Sequence, residues 1–267
     1  MRIETVDAGA FTMDCCRFGQ GRETLVILPG ISLQRVMESA GAVAGAYRKL
    51  AEVFEVCVFE RRNDLPEGYT VRDMALDTAR AMEALGLGPA HLFGASQGGM
   101  MAMTLAIERP ELVKRLVLGS TSARISDGRY RRVFGPWARL ARAGDAEALC
   151  QAFAEAVYPG RTFEKLKRML PGLAKAATAE DLERFAIQTE ALEGLDILDG
   201  LGRIACPTLV IGGRDDAVVG AAASEAIAAR VPGAALYLYD GYGHAAYDLA
   251  RDYKARLLAF LTGDAGR

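Results

Sequence analysis

A short apolar run over residues 90–93 passes directly into Gly94-Ala95-Ser96-Gln97-Gly98, and a helix-like stretch starts at once with Gly99-Met100-Met101-Ala102-Met103. This is a G-x-S-x-G pentapeptide set between a strand and a helix. A sharp strand-to-helix turn pushes one serine hydroxyl clear of the backbone and aims helix N–H groups at whatever it attacks. Gly94 and Gly98 leave room where strand and helix nearly touch, and Gly99 lets the start of the helix pack closely. The pentapeptide alone is a weak signal in a chain with 29 glycines, so its surroundings must supply the context.

They do. Residues 11–17, 24–28 and 53–59 read as strands, with a helical stretch around 42–51 between the last two. Residues 71–85 place Val71, Met74, Ala75, Thr78, Met82 and Leu85 at helical spacing, and Gly86 stops the pattern. A helix is predicted over 97–108, closed by Pro110, and the next strand over 113–118. Continuous apolar runs separated by helices predict a parallel sheet buried on both faces.

That rhythm breaks from about Ser122 to Gly200, where helical segments dominate. Asp145 reads as the N-cap of a helix running to Val157, and Thr178 with Asp181 as a capping-box variant for one running to Leu192. Strands resume over 207–211 and 235–239, and a final helix is predicted over 245–261. The expected organisation is an α/β domain interrupted by a helical insertion.

Composition narrows the function classes. A chain of 267 residues, 51% hydrophobic and 25% charged, can bury a full core. A net charge of −2 argues against nucleic acid as the main partner. The stretch 1–10 carries Arg2, Glu4 and Asp7 and no apolar run, so no secretory signal is read there. The five cysteines are scattered and odd in number, with Cys15-Cys16 adjacent. They read as small core residues of a protein in a reducing cytoplasm, not as a redox or zinc site. No apolar stretch is long enough to span a membrane.

A serine hydroxyl is a poor nucleophile near neutral pH and needs a base within hydrogen-bond reach, itself oriented by a partner. Two histidines are available. His91 sits at the entry of the strand that ends at Ser96, a strand's length away, and reads as structural. His244 follows a strand in the loop Asp240-Gly241-Tyr242-Gly243-His244, where open α/β sheets place ligands, and is the candidate base. Asp215 and Asp216 both follow the strand at 207–211, and either suits the orienting acid. The order Ser, Asp, His separates this plan from other serine hydrolases of the same geometry. Met100, Met101 and Met103 read as core packing.

The chain resembles α/β-hydrolase fold enzymes of the esterase, enol-lactonase and C–C-hydrolase group. The resemblance rests on residues 25–31 (LVILPGI), 59–62 (FERR), 91–102 (HLFGASQGGMMA), 109–120 (RPELVKRLVLGS), 204–219 (IACPTLVIGGRDDAVV) and 241–244 (GYGH). It implies a three-layer α/β/α fold with a mostly parallel eight-stranded sheet. The catalytic core would be 1–121 and 201–267, with 122–200 as a helical cap. It implies Asp216 as the acid, because the family's G-x-x-D pattern falls on Gly213 and Asp216.

The oxyanion hole would use the backbone N–H of Gln97 and, by resemblance, that of Ile31. The chain departs from the family in carrying Pro29-Gly30 where His-Gly is usual; Ser32 beside them reads mainly as a turn former. A serine at position 96 sets the chain apart from epoxide hydrolases and dehalogenases of this fold, which need aspartate there, and from dienelactone-type members, which use cysteine.

The expected activity is hydrolysis of a small carboxylic ester, thioester or lactone through an acyl-enzyme, with no metal or organic cofactor. C–C bond hydrolysis or cofactor-free perhydrolysis needs the same triad, and a non-catalytic small-ligand receptor is the alternative of a different class. Arg124, Arg129, Arg131, Arg132, Arg139 and Arg142, interleaved with Tyr130, Phe134 and Trp137, suggest steering of an anionic substrate or an acyl-carrier partner. The plainer reading is a solvated helix face with its aromatics packed inward.

Overall fold

A computed structural model describes residues 1–263; the last four residues of the expected 201–267 core segment lie outside the described residues. The strands are β1 (Arg2–Asp7), β2 (Thr12–Phe18), β3 (Glu23–Leu28), β4 (Phe54–Arg62), β5 (Ala90–Ala95), β6 (Val113–Gly119), β7 (Thr208–Gly213) and β8 (Ala235–Tyr239). They form one sheet in the order β1-β2-β4-β3-β5-β6-β7-β8. β2 is antiparallel to β1 and β4, and every neighbour from β4 to β8 is parallel. This is the mostly parallel eight-stranded sheet that the resemblance implied; the pattern of apolar runs by itself located seven of its strands.

Both faces of the central strands are apolar, so each strand feeds two cores by alternation. Val26, Leu28, Cys57, Phe59 and Leu92 face one side, and Leu25, Ile27, Val56, Val58 and Phe93 the other. Helices α1 (Ala40–Ala46) and α2 (Arg48–Ala51) pack on the second side, and α3 (Val71–Ala84) and α4 (Gln97–Glu108) on the first. The sidedness explains α4: residues Gln97 to Ala106 are all buried, which its run of glycine, methionine and alanine permits. Met100, Met101 and Met103 are core residues, each 0% exposed.

Between β6 and β7 the chain forms α5 (Asp127–Arg129), α6 (Gly135–Arg142), α7 (Ala146–Val157), α8 (Arg161–Leu166), α9 (Leu170–Ala176) and α10 (Ala179–Glu190). Asp145 caps α7 through a 3.0 Å bond from the Ala148 amide. Thr178 and Asp181 form a reciprocal capping box on α10. A bridge between Arg124 and Asp196 ties the two ends of the insertion together. Its apolar residues, Phe134, Trp137, Leu149, Val157 and Phe185 among them, extend the first core.

The chain closes with α11 (Ala221–Ala228), α12 (Ala246–Leu249) and α13 (Tyr253–Thr262). One expectation needs correction, and one strand was not foreseen. The last helix is broken, because Ala250 turns extended (φ −76°, ψ 124°) and Asp252 is held by the Tyr239 hydroxyl of β8 at 2.9 Å. β1 has no signal in the sequence: it is an edge strand in which Val6 alone is buried, so the apolar alternation is missing.

Candidate active site

Ser96 ends β5 and begins α4 with φ 53° and ψ −121°, a left-handed conformation that a side chain rarely adopts. The surroundings impose it. The Ser96 amide donates to the Gly119 carbonyl at 2.8 Å, and the Ser96 carbonyl accepts from the Thr121 hydroxyl at 2.6 Å. The flanking glycines are required by contact. An added Cβ at Gly98 would fall 1.9 Å from the Leu28 carbonyl oxygen, and one at Gly94 2.3 Å from the Gly98 carbonyl oxygen. Gly99 is equally closed, 2.6 Å from the Thr121 side chain.

Two further loops, after β7 and β8, arrive at this turn. The Asp215 amide donates to the Tyr242 carbonyl at 2.9 Å, and the loops approach so closely that a Cβ on Gly213 would lie 2.2 Å from the Tyr242 and Gly243 carbonyl oxygens. His244 Nε2 lies 3.0 Å from Ser96 Oγ, and its Nδ1 lies 2.9 Å from Asp216 Oδ2. The second Asp216 oxygen accepts from the amides of Val218 (2.8 Å) and Val219 (3.0 Å).

His244 and Asp216 are 2% and 8% exposed. Burial pushes the Asp216 carboxyl up, but the charge and hydrogen bond of His244 and the two amides outweigh it and hold its pKa below the usual carboxylate value. Asp215 is exposed. The structure thus brings Ser96, His244 and Asp216 together and leaves Asp215 outside. His91 is buried at the other end of β5, 3.4 Å from Glu23 and edge-on to Phe54.

The loop after β3 lies against the serine. A Cβ on Gly30 would stand 3.1 Å from Ser96 Cβ, and Ile31 lines a cavity together with Gly30, Ser96 and His244. Ser32 turns away, its hydroxyl donating to the Gln34 carbonyl at 2.8 Å. Phe134, Trp137, Phe153, Val157, Val218 and Tyr247 complete the cavity, which is closed down to about 20 Å3, room for little more than one water.

The insertion is bonded to each loop that carries one of the three residues. Gln188 of α10 accepts at its carbonyl from the Gln97 side chain at 2.6 Å. The Val157 carbonyl accepts from the Ala245 amide at 3.3 Å. Arg129 donates to the Ala217 carbonyl at 2.9 Å.

None of the six arginines from Arg124 to Arg142 is among these lining residues. Arg124 pairs with Asp196, Arg131 with Asp127, and Arg142 with Glu67 and Glu190. The neighbouring aromatics are what reach the site: Trp137 stands edge-on between Phe134 and Phe153. Sequence reasoning missed Phe153 and Val157, although their i, i+4 spacing on α7 marks one face. It also passed over the partners of the Gln97 side chain. Arg61 is among these, and its signal was its position: it continues the inward face of Cys57 and Phe59 in β4, where a charge breaks the pattern.

Residues 25–250 match the family model of the alpha/beta hydrolase fold, and the chain belongs to that family. A protein of Klebsiella pneumoniae named "Putative carbamate hydrolase RutD" is 33% identical over 191 residues, 70% of each chain. The enol-lactonase from Burkholderia xenovorans LB400 has a TM-score of 0.83 at 22% identity, covering 98% of this chain and 100% of that one. A thermophilic esterase from Thermogutta terrifontis has a TM-score of 0.79 at 22% identity, covering 98% and 99%. These two likenesses concern the fold. The family and the sequence relatives place the chain among hydrolases.

Proposed function

We propose that this chain is a serine hydrolase that cleaves a small, uncharged carboxylic ester, thioester or lactone through an acyl-enzyme, with residues 122–200 as the cap over its site. The observation that carries the reading is the continuous hydrogen-bonded line from Ser96 through His244 to Asp216. Ser96 Oγ attacks the carbonyl carbon as His244 takes its proton. Asp216 keeps Nδ1 protonated and stabilises the imidazolium. The Gln97 and Ile31 amides receive the oxyanion. His244 then gives the proton to the leaving group, and a water deprotonated by His244 releases the acid.

The cavity lining favours a short apolar acyl group. Its lining contains no Asp, Glu, Lys or Arg side chain to meet a charged substrate. The relatives named as carbamate hydrolases support a second acyl class, a carbamoyl group, which the same attack would cleave.

Labelling with a fluorophosphonate tests the mechanism: Ser96 Oγ bonds to phosphorus and fluoride leaves. We expect one adduct, on Ser96 by mass, absent from Ser96→Ala and slowed by at least 100-fold in His244→Ala. An adduct elsewhere, or equal labelling of His244→Ala, overturns the reading. A panel of acetyl to octanoyl esters, lactones and carbamates then separates the acyl classes.

A further inference from the structure

Arg61 is the largest of the side chains that are almost wholly sealed from solvent, 1% exposed, at the end of β4 behind the serine turn. Among the described residues it forms no ion pair. One of its nitrogens, Nη2, does two things: it donates to the Pro29 carbonyl at 2.8 Å and to Gln97 Oε1 at 3.0 Å. Pro29 lies two residues before Ile31, and Gln97 follows the serine directly. The segments that supply the two oxyanion donors therefore share one anchor.

The adjacent Glu60 holds the same loop farther along, accepting from the Val36 amide at 2.6 Å. The Gln97 side chain reaches on to the Gln188 carbonyl of α10, so the anchor also extends to the insertion. Burial lowers the Arg61 pKa to about 10, which leaves it protonated at neutral pH. Glu60 offsets part of this charge. Nε of Arg61 has no hydrogen-bond partner, so the guanidinium is under-satisfied where it stands. A buried, incompletely paired cation is costly to keep, and its place beside both donor segments gives it a use.

We propose that Arg61 is the positioning residue of the oxyanion hole, locking the Pro29–Ile31 loop and Gln97 into one register and holding a positive charge behind both amides. This rests on the serine-hydrolase reading. It acts at the stage where negative charge develops, because a fixed dipole or charge behind a donor is worth most in a dry site. It does not touch the ground-state acyl group, so its removal should spare KM.

The test uses the full-length protein with Arg61→Met, Arg61→Lys and Gln97→Met. Steady-state kinetics on p-nitrophenyl acetate are read together with inhibition by phenylboronic acid. In that adduct Ser96 Oγ bonds to boron, its proton passes to His244, and boron becomes tetrahedral and anionic. We expect Arg61→Met to lower kcat by about 10- to 100-fold with KM within about threefold. Boronate affinity should weaken in parallel, and Arg61→Lys should restore part of both. Gln97→Met should lose less, and the double variant no more than Arg61→Met alone.

A folded Arg61→Met with kcat and boronate affinity within about twofold of wild type overturns the proposal, as does a loss confined to KM. If Arg61→Met is insoluble, Arg61→Lys and Gln97→Met decide it: wild-type kcat in both overturns it. A wild type that neither labels nor turns over sinks the hydrolase reading and this inference together. An active wild type with indifferent Arg61 and Gln97 variants sinks this inference alone.

Discussion

At the scale of single residues, Ser96 bears the local strain and Asp216 the charge balance. A non-glycine residue held at φ 53°, ψ −121° costs about 1–3 kcal/mol. Ser96→Ala keeps that cost and Ser96→Gly removes it, less the roughly 0.5–1 kcal/mol that glycine loses in chain entropy. Urea denaturation should therefore find Ser96→Gly about 1 kcal/mol more stable than Ser96→Ala; equal stability would show the turn to be unstrained. For Asp216, native contacts lower the carboxyl pKa below the unfolded value of about 3.9. The stabilisation is complete above that value and is lost as pH falls through the lower folded one. The deficit of Asp216→Asn against wild type should be full at pH 6–7 and shrink below about pH 4. A gap that stays constant with pH contradicts the assignment.

At the scale of elements, the glycines around Ser96 and the caps of the insertion do different work. The glycines set how near β5, α4 and β3 approach; the caps decide whether short helices persist over the site. Thr178→Ala deletes the α10 capping box, whose hydroxyl accepts from the Asp181 amide at 3.1 Å, and should cost about 1 kcal/mol. Since α10 carries the Gln188 carbonyl that holds Gln97, the same variant should lower kcat for p-nitrophenyl acetate about two- to fivefold. A melting scan and steady-state kinetics read the two effects separately. Lost stability with unchanged kcat would mean that the α10 contact does not tune the site.

At the scale of the whole molecule, three loops from distant parts of the chain meet under one insertion, and the insertion narrows the space they leave. Trp137, 4% exposed, stands at the centre of that closure. Trp137→Ala should cost about 3–5 kcal/mol through the cavity it opens. It should also raise the kcat/KM ratio of hexanoate over acetate esters by about tenfold, the scale of one or two accommodated methylenes. An unchanged ratio in a folded variant would place the acyl group elsewhere.

Local signals sufficed for much of this chain. The strand alternation, the helix over Gln97–Glu108 and the N-caps Asp145 and Thr178 depend on neighbours within a few residues, and so does the G-x-S-x-G turn. They are legible for that reason. Ser96 and His244 followed from residue chemistry and position after strands, since two histidines left few choices. Between Asp215 and Asp216 the residues themselves were silent. Burial tells them apart: Asp216 meets two amides of its own loop and an imidazole from 28 residues away, whereas Asp215 is exposed.

Only the tertiary structure puts Arg61 behind two loops, Phe153 and Val157 in the cavity beside the serine, and Arg124 and Arg142 at carboxylates outside that cavity. These depend on which distant surfaces meet. β1 stayed hidden because an edge strand with one buried side chain leaves no apolar period to read. Sequence set the secondary structure and the chemistry on offer, through short-range periodicity and residue type; long-range packing decided which of those groups share a dry site.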